Sequence, residues 1–326
     1  MNLHRRILLA AISAAALSAP LAAQAQADWP AKPVTMILPY PPGGLGDTVA
    51  RRLSARLSEM WKVPVTVDSR PGAGGLLGAG LVAKAPADGY TLLFTIPETL
   101  SITKAAKSAQ DFDPVEDFQP LALVTLSSTV LTVPAGSPHK TFAEFMDFAR
   151  KNPGKLNFGI QGTGSGFHLA LEQLKAMGGV NITAIPYKGA APTMVDLLAG
   201  RIDGMMVSTS VTIPHVQSGK LRILAIASKD RVPQMPGVPT ISESGLKGYD
   251  APVGLAVYSR AGTPPAIVNR VSTDIRRVMH EPPMLEYLAS VAAVTTDLTP
   301  AEFRERIQRE VKTFAQLIEK AGIKLE

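Results

Sequence analysis

Four times along this chain an apolar, β-branched run stops in a loop crowded with glycine, proline, serine or threonine, and a helical pattern often opens on the far side. The first, MILPYPPGGLGDTV at 36–49, spends Pro41, Pro42, Gly43, Gly44 and Gly46 at a single strand exit, with Tyr40 before them and Leu45 among them. Asp47 is the predicted N-cap of the next helix, because Val49, Leu53, Leu57 and Met60 recur at helical spacing after it. The second loop, after the run 90–94, holds Pro97, Glu98 and Thr99. The third spans 159–168 with Gly162, Thr163, Gly164, Ser165, Gly166, Phe167 and His168, ahead of a helix predicted from Leu169. The fourth, 186–192, carries Tyr187, Lys188 and Gly189 and opens a helix over 192–199 that Gly200 closes.

Further strand candidates lie at 34–38, 63–67, 129–133, 156–160, 182–185, 202–207, 221–227 and 253–258. Helical patterns cover 141–151 and nearly all of 264–320, with a break around 292–299. Alternation this dense predicts an α/β fold with largely parallel sheets. Ligands of such sheets bind beyond the carboxyl ends of the strands, at helix N-termini.

Glycine lets backbone N–H groups reach a ligand with no β-carbon in the way, and a helix N-terminus adds unpaired donors and positive dipole. Donors to a charged oxygen contribute about 1.5–3 kcal/mol each. Two or three on one carboxylate carry much of the roughly 8 kcal/mol of a micromolar affinity. Each loop alone reads as an ordinary strand–helix turn; four in one chain predict a site for a small anion.

Other chemistries lack their residues. No lysine follows the glycines as a phosphate loop requires, and the dinucleotide pattern fails where Phe167 and Leu77 stand in place of glycine. The nucleophile elbow G-x-S-x-G and the zinc motif H-E-x-x-H are absent, and there is no cysteine. His139, His168, His215 and His280 are scattered without metal-ligand spacing, so neither a metal nor a cofactor is expected. His168 reads equally as a ligand contact and as a packing or capping residue of its helix. The formal charge of +6 is spread without blocks or aromatic interleaving, which argues against nucleic acid.

Residues 1–27 run from His4, Arg5 and Arg6 through an alanine-rich apolar stretch to Ala25-Gln26-Ala27, the order of a secretory signal peptide. An exported chain without cysteine has neither a disulfide framework nor a thiol for lipid attachment. These features predict a freely diffusing periplasmic protein whose core comes from burial alone.

In order along the chain, the sequence resembles the Bug-type periplasmic receptors of tripartite tricarboxylate transporters. The resemblance rests on Trp29-Pro30 with Lys32-Pro33, Pro39-Tyr40-Pro41-Pro42-Gly43-Gly44, Arg70-Pro71-Gly72-Ala73-Gly74-Gly75 and Asp88-Gly89-Tyr90. It continues through the glycine loop to His168, Tyr187-Lys188-Gly189, Gly219-Lys220-Leu221-Arg222 and Val238-Pro239-Thr240. Each motif is short; the ordered set spans nearly the whole chain after residue 27.

The resemblance implies a two-domain, type II periplasmic-binding-protein (Venus flytrap) clamshell, with domain 1 at 28–126 and 252–326 and domain 2 at 127–251. It implies a monomer that holds a carboxylate with backbone amides, hydroxyls and water and delivers it to membrane subunits. Carried onto this chain, the ligand-binding residues are Tyr40, Pro42, Gly43, Gly44, Leu45, Gly46, Asp47, Thr163, Gly164, Ser165, Gly166, His168, Tyr187, Lys188 and Gly189. Pro97, Glu98, Thr99, Ser208 and Thr209 belong to stretches that vary with the ligand. A receptor feeding a sensor is the alternative, and a hydrolase using Ser165 and His168 is the rival from another class.

Overall fold

The computed structural model describes residues 29–321; the predicted signal peptide at 1–27 lies outside them. Two sheets organise these residues. The first contains β1 (Val34–Leu38), β2 (Val65–Ser69), β3 (Thr91–Thr95), β4 (Phe118–Ser127), β10 (Val253–Arg260) and β11 (Ala293–Thr295), in the order β11-β4-β10-β3-β1-β2. The second contains β5 (Thr129–Pro134), β6 (Asn157–Ile160), β7 (Thr183–Pro186), β8 (Gly204–Ser208) and β9 (Leu221–Ile226), in the order β7-β6-β8-β5-β9. The two share one plan. A parallel trio, β2-β1-β3 or β7-β6-β8, is followed by an antiparallel strand, β10 or β5.

That plan corrects the expectation of largely parallel sheets: both are mixed. The reason is connectivity. β4 ends at Ser127 and β5 begins at Thr129 in the other sheet, so β5 enters from the edge where the parallel trio ends. β10 returns the chain to the first sheet in the same way and runs against β3 and β4.

Helices cover the sheets with the faces their periodicity dictates. Against the first sheet, α1 (Leu45–Trp61) buries Val49, Leu53 and Leu57, and α8 (Pro265–Met279) buries Val268, Val271 and Ile275. On its other face lie α2 (Leu76–Ala83), α3 (Pro97–Ala105) and α10 (Pro300–Ala321), which seats Phe303 beside Tyr258. In the second lobe α4 (Phe142–Lys151) buries Phe142, Phe145 and Met146, and its N-cap Thr141 accepts the Glu144 N–H at 3.2 Å. The helices α5 (Gly166–Gly178), α6 (Ala190–Leu198) and α7 (Thr209–Gln217) follow β6, β7 and β8, and α9 (Pro282–Ser290) precedes β11.

Several boundaries move from their sequence positions for identifiable reasons. β2 starts at Val65 rather than residue 63, because Pro64 has no N–H for the ladder and instead gives its carbonyl to Val34 at 2.9 Å. The predicted loop at 97–100 is the first turn of α3, where Pro97 sits at a helix start that tolerates it. Helix α5 begins at Gly166, three residues before the predicted Leu169, because Ser165 caps it by accepting the His168 N–H at 3.2 Å. Asp47 is not the N-cap of α1; Gly44 is.

Candidate functional site

The strand directions place the carboxyl ends of β1 and β3 on one lobe opposite those of β6, β7 and β8 on the other. Close contacts show the two edges meeting. A β-carbon built on Gly189 would stand 3.9 Å from Pro41 Cγ, and one on Gly74 would stand 3.4 Å from the Thr163 carbonyl.

On the first lobe, Tyr40 is held in place by its hydroxyl. Its hydroxyl shares a 2.9 Å hydrogen bond with Thr95 Oγ1 and accepts the Ile96 N–H at 3.2 Å. Burial pushes the phenol upward, so it stays neutral. Pro42, Gly43 and Gly44 are exposed, and Leu45 and Gly46 half-buried. Gly43 adopts φ +95°, a conformation other residues rarely take, and donates its N–H to Asp47 Oδ2 at 3.1 Å. The other Asp47 oxygen accepts Arg51 Nε at 2.8 Å. Asp47 thus shapes the loop from inside the first turn of the helix. Around Gly44 a β-carbon would find nothing within 4 Å, so the loop opens onto free space.

On the second lobe, Gly162 and Gly164 both take positive φ, and Thr163 lies exposed between them. The His168 ring turns to its own loop and helix: Nδ1 accepts the Gly164 N–H at 3.1 Å, and Nε2 lies 3.6 Å from Glu172. Ser165 Oγ is taken by the backbone N–H of His168, so the two side chains form no nucleophile–base pair. Tyr187 donates its hydroxyl to Asp196 at 2.8 Å, which leaves the ring as a wall and Lys188 exposed beside it. Gly189, at φ +107°, is the N-cap of α6.

The residues of the ligand-variable stretches divide differently. Pro97, Glu98 and Thr99 are buried in the first turn of α3. Both Glu98 oxygens accept the Gly254 N–H, at 3.2 and 3.1 Å, and Arg306 approaches at 3.6 Å, so this carboxylate is committed behind the cleft. Ser208 pairs with Ser210 at 3.0 Å. The Thr209 hydroxyl donates to the carbonyls of Val291 and Ala292 at 3.4 and 3.3 Å, linking the start of α7 to the residues just before β11.

Gly44, Gly189, Ile96 and Ser208, the N-caps of α1, α6, α3 and α7, place no side-chain oxygen on the first-turn N–H groups. Of these, the starts of α1 and α6 lie on loops that face each other across the lobes and leave N–H donors for an anion, whereas Pro97 has no N–H and the Thr209 N–H is taken by the Ser128 carbonyl at 3.1 Å. The sequence reading missed the 72–75 loop as part of this rim. With Thr99 and Thr163, its Ala73 and Gly74 line a cavity of about 80 Å³ between the lobes. The signal was the run Gly72-Ala73-Gly74-Gly75, whose three glycines all take positive φ.

Comparison with known proteins agrees with this architecture. The family described as tripartite tricarboxylate transporter family receptor matches residues 49–323. The protein BugT of Bordetella pertussis is 34% identical across 100% of both chains. Among solved structures, R. palustris Rpa4515 with adipate superposes with a TM-score of 0.85 at 32% identity, covering 90% of this chain and 99% of that one. MatC (Rpa3494) from Rhodopseudomonas palustris with bound malate superposes with a TM-score of 0.83 at 28% identity, covering 89% and 100%.

Proposed function

The chain belongs to the tripartite tricarboxylate transporter receptor family, as a Bug-type member with the two-lobed fold of periplasmic binding proteins, and from that premise we propose that it captures a small organic carboxylate between its lobes and delivers it to the membrane subunits of such a transporter. The observation that carries this reading is the meeting of uncapped helix starts, at Gly44 on one lobe and Gly189 on the other, across a gap whose rims touch. The adipate and malate bound by the two solved relatives support a carboxylate as the occupant. The family is one of solute receptors, and the geometry of Ser165 and His168 gives the hydrolase reading no support.

The donors come from Gly44 to Gly46, from Thr163 and Gly166, and from Gly189, because the N–H groups of Gly43, Gly164 and Ser165 are already taken by Asp47, His168 and Gly162, with Tyr40 and Tyr187 as walls. Neutral dipoles suit a receptor that must also stand empty, because a fixed buried counter-charge would need solvation in the open state. We place the domain boundaries at 126/127 and 251/252, the protein in the periplasm, and its working form as a monomer. Among the described residues no helix is long and apolar enough to cross a membrane.

A thermal-shift panel of the refolded protein tests the reading, with mono- and dicarboxylates, aromatic acids and the amide of each. Binding to the folded state alone raises the melting point. One acid should stabilise while its amide does not; equal shifts from acid and amide would contradict a carboxylate site.

A further inference from the structure

The lobes also meet behind the cleft, around a carboxylate that the proposed ligand loops do not use. Glu98 is 4% exposed, and both its oxygens accept the N–H of Gly254 in β10, the strand that returns the chain to the first sheet. Arg306 of α10 brings Nη2 to 3.6 Å while its Nε holds Glu310 at 2.7 Å, and Ser101 donates to Glu310 at 3.3 Å. From the second lobe, Gly166 at the start of α5 lies against the stem of the Glu98 side chain: a β-carbon there would stand 3.4 Å from Glu98 Cβ and 4.0 Å from its Cγ, next to the carboxyl group. The titratable and charged groups around it are Arg306 and Glu310 of α10, the phenols of Tyr258 in β10 and Tyr40 beyond β1, and Asp250, which faces Arg306. One guanidinium serves two adjoining carboxylates with a third nearby.

We propose that Glu98 is a positioning residue for lobe closure: it holds the return strand at Gly254, and its charge state sets how readily Gly166 seats against it. Seating strips water from the carboxyl group, which costs far more when the group is ionised. Burial, followed by repulsion from Glu310, outweighs Arg306 and pushes Glu98 up to about 8. As pH rises through that value, the ionised form favours the arrangement in which water returns to it, and the lobes open. The proposal goes beyond the ligand reading; it rests on the two lobes and not on what lies between them.

The chain has no cysteine, so a pair introduced at the exposed Leu81 and Val195, one per lobe, takes spin labels at those positions alone. Distances between the labels are recorded from about pH 6 to about pH 9, without added solute and again with adipate. In the parent, the short-distance population should fall ~3-fold or more as pH rises from about 7 to about 9. Glu98→Gln keeps the shape but cannot ionise, and its population should stay level. Glu310→Gln removes the repulsion and should move the midpoint to lower pH. The same fall in Glu98→Gln as in the parent, no fall in the parent, or an unmoved midpoint in Glu310→Gln would each overturn the proposal. The adipate arm reports separately: adipate that fails to shorten the distance counts against adipate as the solute, not against a carboxylate site, and leaves the solute-free comparison intact.

Discussion

Gly44 matters to the proposed site in two ways: it is the N-cap of α1, and a β-carbon there would meet open space. Its φ of −86° and ψ of 175° suit any residue, so Gly44→Val leaves the fold unstrained while a branched side chain enters the ligand's approach. We expect a loss of carboxylate affinity of ~10-fold or more, about 1.4 kcal/mol, with little change in melting point. Calorimetric titration beside a thermal scan checks both. Glu98 gives a second expectation. Its folded value of about 8 exceeds the usual 4.5, so its contribution to stability is complete below about pH 4.5 and lost as pH rises through about 8. Glu98→Gln should therefore flatten the decline in melting temperature between about pH 5.5 and pH 8.5, by ~3 °C or more at the upper end. Parallel curves for the two proteins would contradict it. At this scale the glycines of both lips could be read from sequence, and at Gly43, Gly162, Gly164 and Gly189 the positive φ explains the choice of residue. The commitments of Glu98 to Gly254 and of Thr209 to Ala292 could not, since each joins residues far apart in the chain.

Among the elements, legibility followed local consistency. Helix α4 shows a clear apolar period, a threonine cap and basic residues in its last turn, and it forms where expected. Removing that cap with Thr141→Ala should cost ~1 kcal/mol in denaturant unfolding, since the Glu144 N–H loses its partner. An effect on ligand affinity would be unexpected, because α4 does not belong to the cleft. Helix α7 was unreadable because TSVTIPHVQ is β-branched and contains Pro214; packing on its sheet overrides propensity. Helix α2 is hidden by Gly78 and Gly80, and β4 by Pro120, which lies opposite Tyr258. Inside α2, a β-carbon on Gly78 would stand 2.8 Å from Pro39 Cβ, so that glycine is needed for close packing against the chain just beyond β1. Gly78→Leu should destabilise by ~1–3 kcal/mol, read by chemical denaturation.

For the whole molecule, sequence alternation indicates α/β layers but not the mixed order of the sheets, which follows from two strands crossing between lobes. The facing edges, and hence the site, exist only once both crossings are made. The most direct test of the site is a crystal structure of the protein with an acid that the thermal panel selects. The carboxylate should lie between the lobes, within hydrogen-bonding distance of backbone N–H groups from both the Gly43–Gly46 loop and the Thr163–Gly166 or Gly189 turns, with no arginine paired to it. A carboxylate bound by one lobe alone, or held by a lysine or arginine side chain away from these turns, would contradict the proposed mode of capture.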